Sequence, residues 1–251
     1  MGTAQQEARL RQIDALQSNL AGYRPYEGDM LVQLRKYYRL GLTWTSNAVE
    51  GSSYTESETK ILLEDGITVA GKTLRETMAA LGHAKAYDYM FTLTGKKGIT
   101  ERDVLTMHAM LEGGMETGTA GKYRTTAVLV TGTAFRFPSA AEVPDLMRTL
   151  FERTIPGFVS LHPVLQSAKI HKEIVTIHPF SDGNGRAARL AMNTVLIQHG
   201  YMPVQIAPVI RQEYIDSLRR AQIQGDDADF IGLILRQEIE SQKEILRLIA
   251  E

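Results

Sequence analysis

The sequence predicts an all-α protein with one small β-element, and three observations carry that expectation. Apolar residues recur at helical spacing in segment after segment, from Leu10, Ile13, Leu16 and Leu20 near the start to Ile231, Ile234, Leu235, Ile239, Ile245 and Leu248 near the end. Several of these segments open on a capping residue or an early proline and close on glycine or proline, which is how helices are punctuated. One stretch, Gly121 to Ala140, changes character, and β-structure is expected there.

Taken in order, an amphipathic helix over residues 4 to 20 is ended by Gly22 and Pro25. A second spans about Asp29 to Leu42, with Leu31, Leu34, Tyr37, Tyr38 and Leu40 as its apolar positions. After the segment TWTSNAVEGSSYT, Thr55 and Glu58 form a capping box for a short helix to Leu63, and Asp65-Gly66 ends it. Residues 67 to 72 read as a loop, and Leu74 to Leu93 as a longer helix carrying Met78, Leu81, Ala84, Tyr87 and Met90. Thr100 caps a helix to Met110, with Glu101 and Asp103 placed where negative charge favours the helix dipole.

Between Gly121 and Ala140, Ala127 to Val130 are β-compatible, Thr131-Gly132-Thr133 is turn-like, and Phe135 and Phe137 alternate around Arg136; a small β-hairpin is expected. Pro144 starts a helix through Phe151 that Pro156-Gly157 breaks. Pro163 opens the next, whose Leu165, Ala168, Ile174 and Val175 run straight into His178. His171 lies two turns earlier on that face and reads as a packing or supporting residue rather than half of a metal pair. Leu190 to His199 is largely apolar and ends at Gly200, a C′ position; Arg211 to Gln224 and Phe230 to Leu248 complete the set.

Composition narrows the function. The 251 residues can bury a sizeable core, and a formal net charge of −1 gives no electrostatic reason for a nucleic-acid or anionic-membrane partner. Zero cysteines exclude a disulfide framework and cysteine-ligated zinc. No run of roughly eighteen uncharged apolar residues occurs, and the opening MGTAQQEARLRQID has no apolar segment, so a cytoplasmic protein is expected.

Chemistry concentrates between Ile177 and Arg189, in IHPFSDGNGRAAR. Gly183 and Gly185 flank Asn184, so the backbone there can turn its N–H groups toward one point, a nest for an anion. Leu190, Val195 and Leu196 imply a helix starting near Gly185, whose positive end would meet the same anion. Arg186 and Arg189, three apart, set two guanidinium forks on one face, suited to phosphate. Asp182 is the acid in reach for Mg²⁺, and His178 titrates near neutrality, as a general base for a hydroxyl should. A helix rather than a strand precedes the loop and no P-loop spacing is present, so it is neither dinucleotide fingerprint nor P-loop.

This segment resembles the signature of Fic domain proteins, HPFx[DE]GNGRxxR: His178, Pro179, Phe180, Asp182, Gly183, Asn184, Gly185, Arg186 and Arg189 fill all nine specified positions. The resemblance implies a Fic-type helical bundle with a small β-hairpin flap. It implies transfer of AMP from MgATP to a Ser, Thr or Tyr hydroxyl of a target protein. His178 would then deprotonate the hydroxyl, Asp182 hold Mg²⁺ and Phe180 anchor the loop. The amides from Gly183 to Gly185 and Asn184 would cradle the phosphates, with Arg186 and Arg189 on the outer ones.

Ser46, Glu50 and Gly51 fit [ST]xxxE[GN], the pattern of an inhibitory helix in the same family, here near 43–55. Glu50 would pair Arg189 and so occupy the fork that the ATP γ-phosphate needs; by pattern alone Ser46 also reads as a helix cap and Glu50 as a solvated residue. The stretch around Leu129, Val130 and Thr131 is similar to the flap that pairs with a target backbone as an added strand. Tyr214 and Gln222 become candidates to contact adenine, and Tyr214 equally a core aromatic. The likeness covers about residues 30 to 240 and divides the chain into an N-terminal helical region at 1–95, a Fic core at 96–240 and the end of the C-terminal helix at 241–251. Self-modification and a homodimer are further implications. The same site would also serve removal of AMP with Glu50 orienting water, or a nucleotide-binding regulatory module without catalysis.

Overall fold

A computed structural model describes residues 2–114, 118–129 and 133–250. Among the described residues, eleven α-helices and no strand are found. The most buried helix, α9 (Asn184–Gln198), has every side chain from Arg186 to Ile197 withdrawn from solvent. A helix covered all round must lie at the centre. Its neighbours are α8 (Pro163–Ile177), α4 (Leu74–Thr92) and α5 (Glu101–Glu112). Helix α2 (Gly28–Val49) lies on α4, and α1 (Thr3–Ala21) packs along α11 (Ala228–Ala250), with α10 (Arg211–Gln224) between α11 and α8. The short α3 (Glu56–Lys60), α6 (Val143–Thr149) and α7 (Ile155–Phe158) complete the set.

Two polar residues of α9, Asn193 and Thr194, are satisfied inside the core. Asn193 donates to Val204 O at 3.0 Å and accepts from Val204 N at 2.7 Å, while Thr194 donates to Leu190 O at 2.9 Å. Caps fix the starts of the surrounding helices. The expected box at Thr55 and Glu58 forms, Thr100 is closed by Asp103, and Thr73 with Glu76 adds a third box at the start of α4.

Three expectations change. Helix α2 does not stop at Leu42 but continues to Val49, because Tyr38, Leu42, Thr45, Ser46 and Val49 are all buried on it. Ser46 therefore lies inside a helix rather than capping one. Pro156-Gly157 does not break the chain's helical course, since a π-turn over Leu150–Thr154 leads into α7, where the proline sits at a helix start and needs no N–H. No β-ladder forms among the described residues of 121–140; Val130 and Thr131 lie outside them. The two arms are instead joined by a side chain. Arg124, 3 % exposed, donates to Thr126 O at 3.0 Å, Pro138 O at 2.6 Å and His178 O at 2.8 Å. Carbonyls taken by a guanidinium have less need of strand partners.

Candidate active site

The site begins where α8 ends. His178 takes a left-handed conformation, φ 53°, the one non-glycine residue to do so among the described residues, and its N–H still bonds Ile174 O at 2.9 Å. That turn points the chain into the loop before α9. Arg124 fixes it from outside, through its N–H on Pro179 O at 2.9 Å and its Nε on His178 O. Burial, foremost, lowers the His178 pKa below its ordinary value. Its Nδ1 lies 3.4 Å from Val175 O; a carbonyl only accepts, so Nδ1 carries the hydrogen and Nε2 is left bare.

Phe180 is fully buried, its ring stacked on His108 at 3.6 Å between centroids. His108 accepts from Gly121 N at Nδ1, 3.0 Å away, so Nε2 donates to Asp182 O at 3.0 Å. Burial lowers this imidazole to about 4, which keeps it neutral in that role. Asn184 closes the loop on itself. Its Oδ1 accepts from Phe180 N and its Nδ2 donates to Phe180 O, both at 2.8 Å. Its side chain, expected to help cradle an anion, is thus spent on holding the loop's shape.

Gly183, φ 75°, begins α9, and its N–H is taken by Asp182 Oδ1 at 2.7 Å. The next N–H groups, from Asn184 to Arg186, open the helix and have no partner within it. Arg186 and Arg189 stand on the first turns as expected, but in different company. Arg186, 5 % exposed, donates to Glu112 Oε1 at 2.9 Å, and its Nε and Nη1 have no protein partner. Burial raises the Glu112 carboxyl against the pull of Arg186. Asp182 is half-exposed and meets Arg75 Nη2 at 2.5 Å. Burial alone would raise its carboxyl, but the Gly183 amide, Arg186 and Arg75 outweigh that and hold it low.

Arg189, 4 % exposed, is gripped on all sides. Nε donates to Ser46 Oγ at 2.9 Å, and Nη2 to Ser46 O at 2.9 Å and Glu50 Oε1 at 2.7 Å. Nη1 donates to the Tyr214 hydroxyl at 3.2 Å, which lies 2.9 Å from His171 Nε2. Glu50 caps the C-terminus of α2, followed by Gly51 at φ 98°, while Arg211 Nε ties Val49 O at 2.6 Å. Its carboxylate hangs directly over the start of α9: a Cβ added at Gly185 would collide with Glu50 Oε1. An anion from the chain itself sits where the helix end and one guanidinium together favour negative charge.

A cleft of about 380 Å³ opens beside this pair, lined by Glu50, Val175, His178, Gly185, Arg189, Tyr214 and Gln222 among others. Tyr214 is the buried aromatic that was one of its two expectations, and it also lines the cleft. Gln222 lines it too and donates to Val175 O at 3.3 Å, the carbonyl that His178 Nδ1 approaches. Thr133 and Phe137 also line the cleft, the Phe137 ring 4.5 Å from that of His178, while Leu129 is 97 % exposed. Sequence reasoning did not find His108, Glu112, Arg124 or Arg75. Each is an ordinary helix or loop residue by its neighbours in sequence, and only its partner across the fold marks it.

A helical bundle with a glycine- and arginine-rich loop between two helices, and a histidine at its mouth, sets an open helix N-terminus and two guanidinium groups beside an imidazole. Residues 98–196 match the Fic/DOC family, and the chain belongs to it. It is 33 % identical over 231 residues to protein adenylyltransferase Fic of Drosophila melanogaster, a match covering 91 % of this chain and 46 % of that protein. The chain thus spans under half the length of that curated relative. The structure of Fic-1 from C. elegans superposes with a TM-score of 0.87 at 25 % identity, covering 99 % of this chain and 74 % of that one. A Fic domain containing signaling protein from Bacteroides thetaiotaomicron has the same fold, with a TM-score of 0.83 at 24 % identity over 92 % of this chain and 94 % of that one.

Proposed function

We propose that this chain is a protein adenylyltransferase that moves AMP from ATP to a Ser, Thr or Tyr hydroxyl of a protein and is restrained by its own Glu50. The observation that carries the reading is one cleft holding a bare imidazole nitrogen, an open helix N-terminus and the Arg189 fork, in a chain similar to protein adenylyltransferases. His178 Nε2 takes the hydroxyl proton as the oxygen attacks the α-phosphorus, and pyrophosphate leaves. The amides from Asn184 to Arg186 and the guanidinium groups of Arg186 and Arg189 neutralise the phosphates, which is where most of the barrier lowering in such transfers arises. Asp182 is the acid at the loop suited to Mg²⁺ as a single protein ligand, since among the described residues no cluster of three or more metal-binding side chains exists. Bound there with the phosphates, the ion would neutralise charge on the leaving group.

Tyr214 and Gln222 line the part of the cleft that would receive the base. Leu129, the described residue of the expected flap, is exposed and would meet the target's main chain, which suits recognition through backbone hydrogen bonds. Restraint follows from charge and space together. The Glu50 carboxylate sits on Arg189 and over Gly185, so a phosphate cannot use either until it leaves. Glu50→Gly should raise labelling of the protein itself or an added target by adenine nucleotide, followed by mass spectrometry, and His178→Ala in that background should abolish it. Unchanged labelling in the single variant would remove the restraint from the account.

Glu50 shares the cleft with His178, which also supports a second reading, hydrolysis of an AMP-bearing protein by water that Glu50 orients. An AMP-modified substrate separates the two, since hydrolysis requires the acid and transfer does not.

A further inference from the structure

The loop is held from the N-terminal side by a second charged pair. Arg75, in the first turn of α4, donates to Asp182 Oδ2 at 2.5 Å, and the two side chains are 72 % and 50 % exposed. The pair stands at the mouth of the loop, where a cation approaching Asp182 must come. The other carboxylate oxygen is already committed to Gly183 N, with Arg186 at 3.7 Å. Oδ2 is the oxygen a metal ion would take, and Arg75 is on it.

Arg75 and Glu50 are borne on one piece of the chain. Ser53 N, three residues after Glu50, donates to Glu76 Oε1 at 2.7 Å, and Lys72 Nζ donates to Ser53 O at 2.6 Å. The Tyr54 hydroxyl meets Thr77 Oγ1 at 2.8 Å. The bond from the Ser53 amide is the first of several that hold the Glu76 carboxyl down at about 2, so it stays charged and bonded at any ordinary pH. The end of α2 and the start of α4 are thereby one unit with two charges facing the loop.

We propose that Arg75 is a built-in occupant of the divalent-cation position at Asp182, so that the N-terminal region fills the site at both charges: Glu50 where a phosphate would lie and Arg75 where the metal would. The inference rests on the nucleotide-transfer reading of the same loop. Its consequence is that metal and nucleotide work against one unit. A cation that displaces Arg75 loosens the piece that carries Glu50, and loss of Glu50 eases displacement of Arg75.

Binding of Mn²⁺, followed by its electron paramagnetic resonance signal in the presence of saturating ADP, tests this without any turnover. A diphosphate lacks the terminal group that competes with Glu50, so the cation term is isolated. Arg75→Ala should tighten Mn²⁺ binding by about two- to fivefold, the range for a solvent-exposed ion pair. Arg75→Lys, which keeps the charge without the planar fork, should fall between. In Asp182→Asn the Arg75 substitution should have no effect. Equal Mn²⁺ affinity in wild type and Arg75→Ala would overturn the inference and leave the transfer reading standing. Failure of both wild type and Glu50→Gly to bind ADP with Mn²⁺ would overturn both.

Discussion

His178 shows how one side chain's surroundings set its chemistry. Burial is the largest influence on it and lowers its pKa from the ordinary 6.5, while Val175 O, Glu50 and Asp182 pull the other way. A general base must be neutral, so its contribution is complete above the depressed pKa and lost as pH falls through it. The acid limb of kcat/KM for the Glu50→Gly variant, which reports the free enzyme, is therefore expected below pH 6.5; a limb above that value would mean that another group sets it. Arg189 makes the complementary point. Its Ser46 and Tyr214 contacts do not run through Glu50, so the fork should stay aimed into the cleft when the carboxylate leaves. A buried guanidinium without those partners would be costly.

The elements hold the site through close backbone approach as much as through side chains. Gly82 in the middle of α4 is the clearest case: a Cβ there would come within 2.6 Å of Leu111 O and 2.7 Å of Met110 O on α5. Those are backbone atoms and cannot swing aside. Gly82→Ala should cost about 1–3 kcal/mol from overpacking, read as a shifted denaturant midpoint. Gly95→Ala, where a Cβ meets nothing within 4 Å, is the control and should be near neutral. The distance matters for function because the neighbouring His108 and Glu112 of α5 support Phe180 and Arg186. A shifted α5 would move the loop with it.

Among the described residues, the main apolar cluster draws on all three of the stretches named from the resemblance, and a smaller one gathers Tyr54, Leu62 and Ala80. Ile13, Leu20, Tyr38 and Leu42 from the first 95 residues join Phe180, Leu196 and Phe230, and Ile245 beyond residue 240 joins them too. Helix α1 closes on α11, so the two ends of the chain complete the same interior. Leu20→Ala should therefore lower the stability of the whole by about 2–5 kcal/mol, with near- and far-ultraviolet circular dichroism still following a single transition. Two separated transitions would show that residues 1–95 fold as their own unit. No described helix is long and apolar enough to cross a membrane.

Much was written locally. The helices, their capping boxes and the loop's glycines and arginines all depend on residues three or four apart, so reading along the chain finds them, and the motif from His178 to Arg189 carries its chemistry in its own order. Glu50 was singled out by the resemblance, whose short [ST]xxxE[GN] pattern it fits together with Ser46. The pairs that complete the site are of another kind. Arg75 and Asp182 are separated by 107 residues, and Glu112 and Arg186 by 74. Such partners leave no period and no spacing behind them. Among the described residues the hairpin expectation differs for the same reason, since β-compatible residues were visible but Arg124, which takes the flanking carbonyls of Thr126 and Pro138, was not recognisable as buried. Local free energies decide which segments coil, and those the sequence spells out. Which charges meet at the loop depends on how α2, α4, α5 and α9 pack, and only the folded chain decides that.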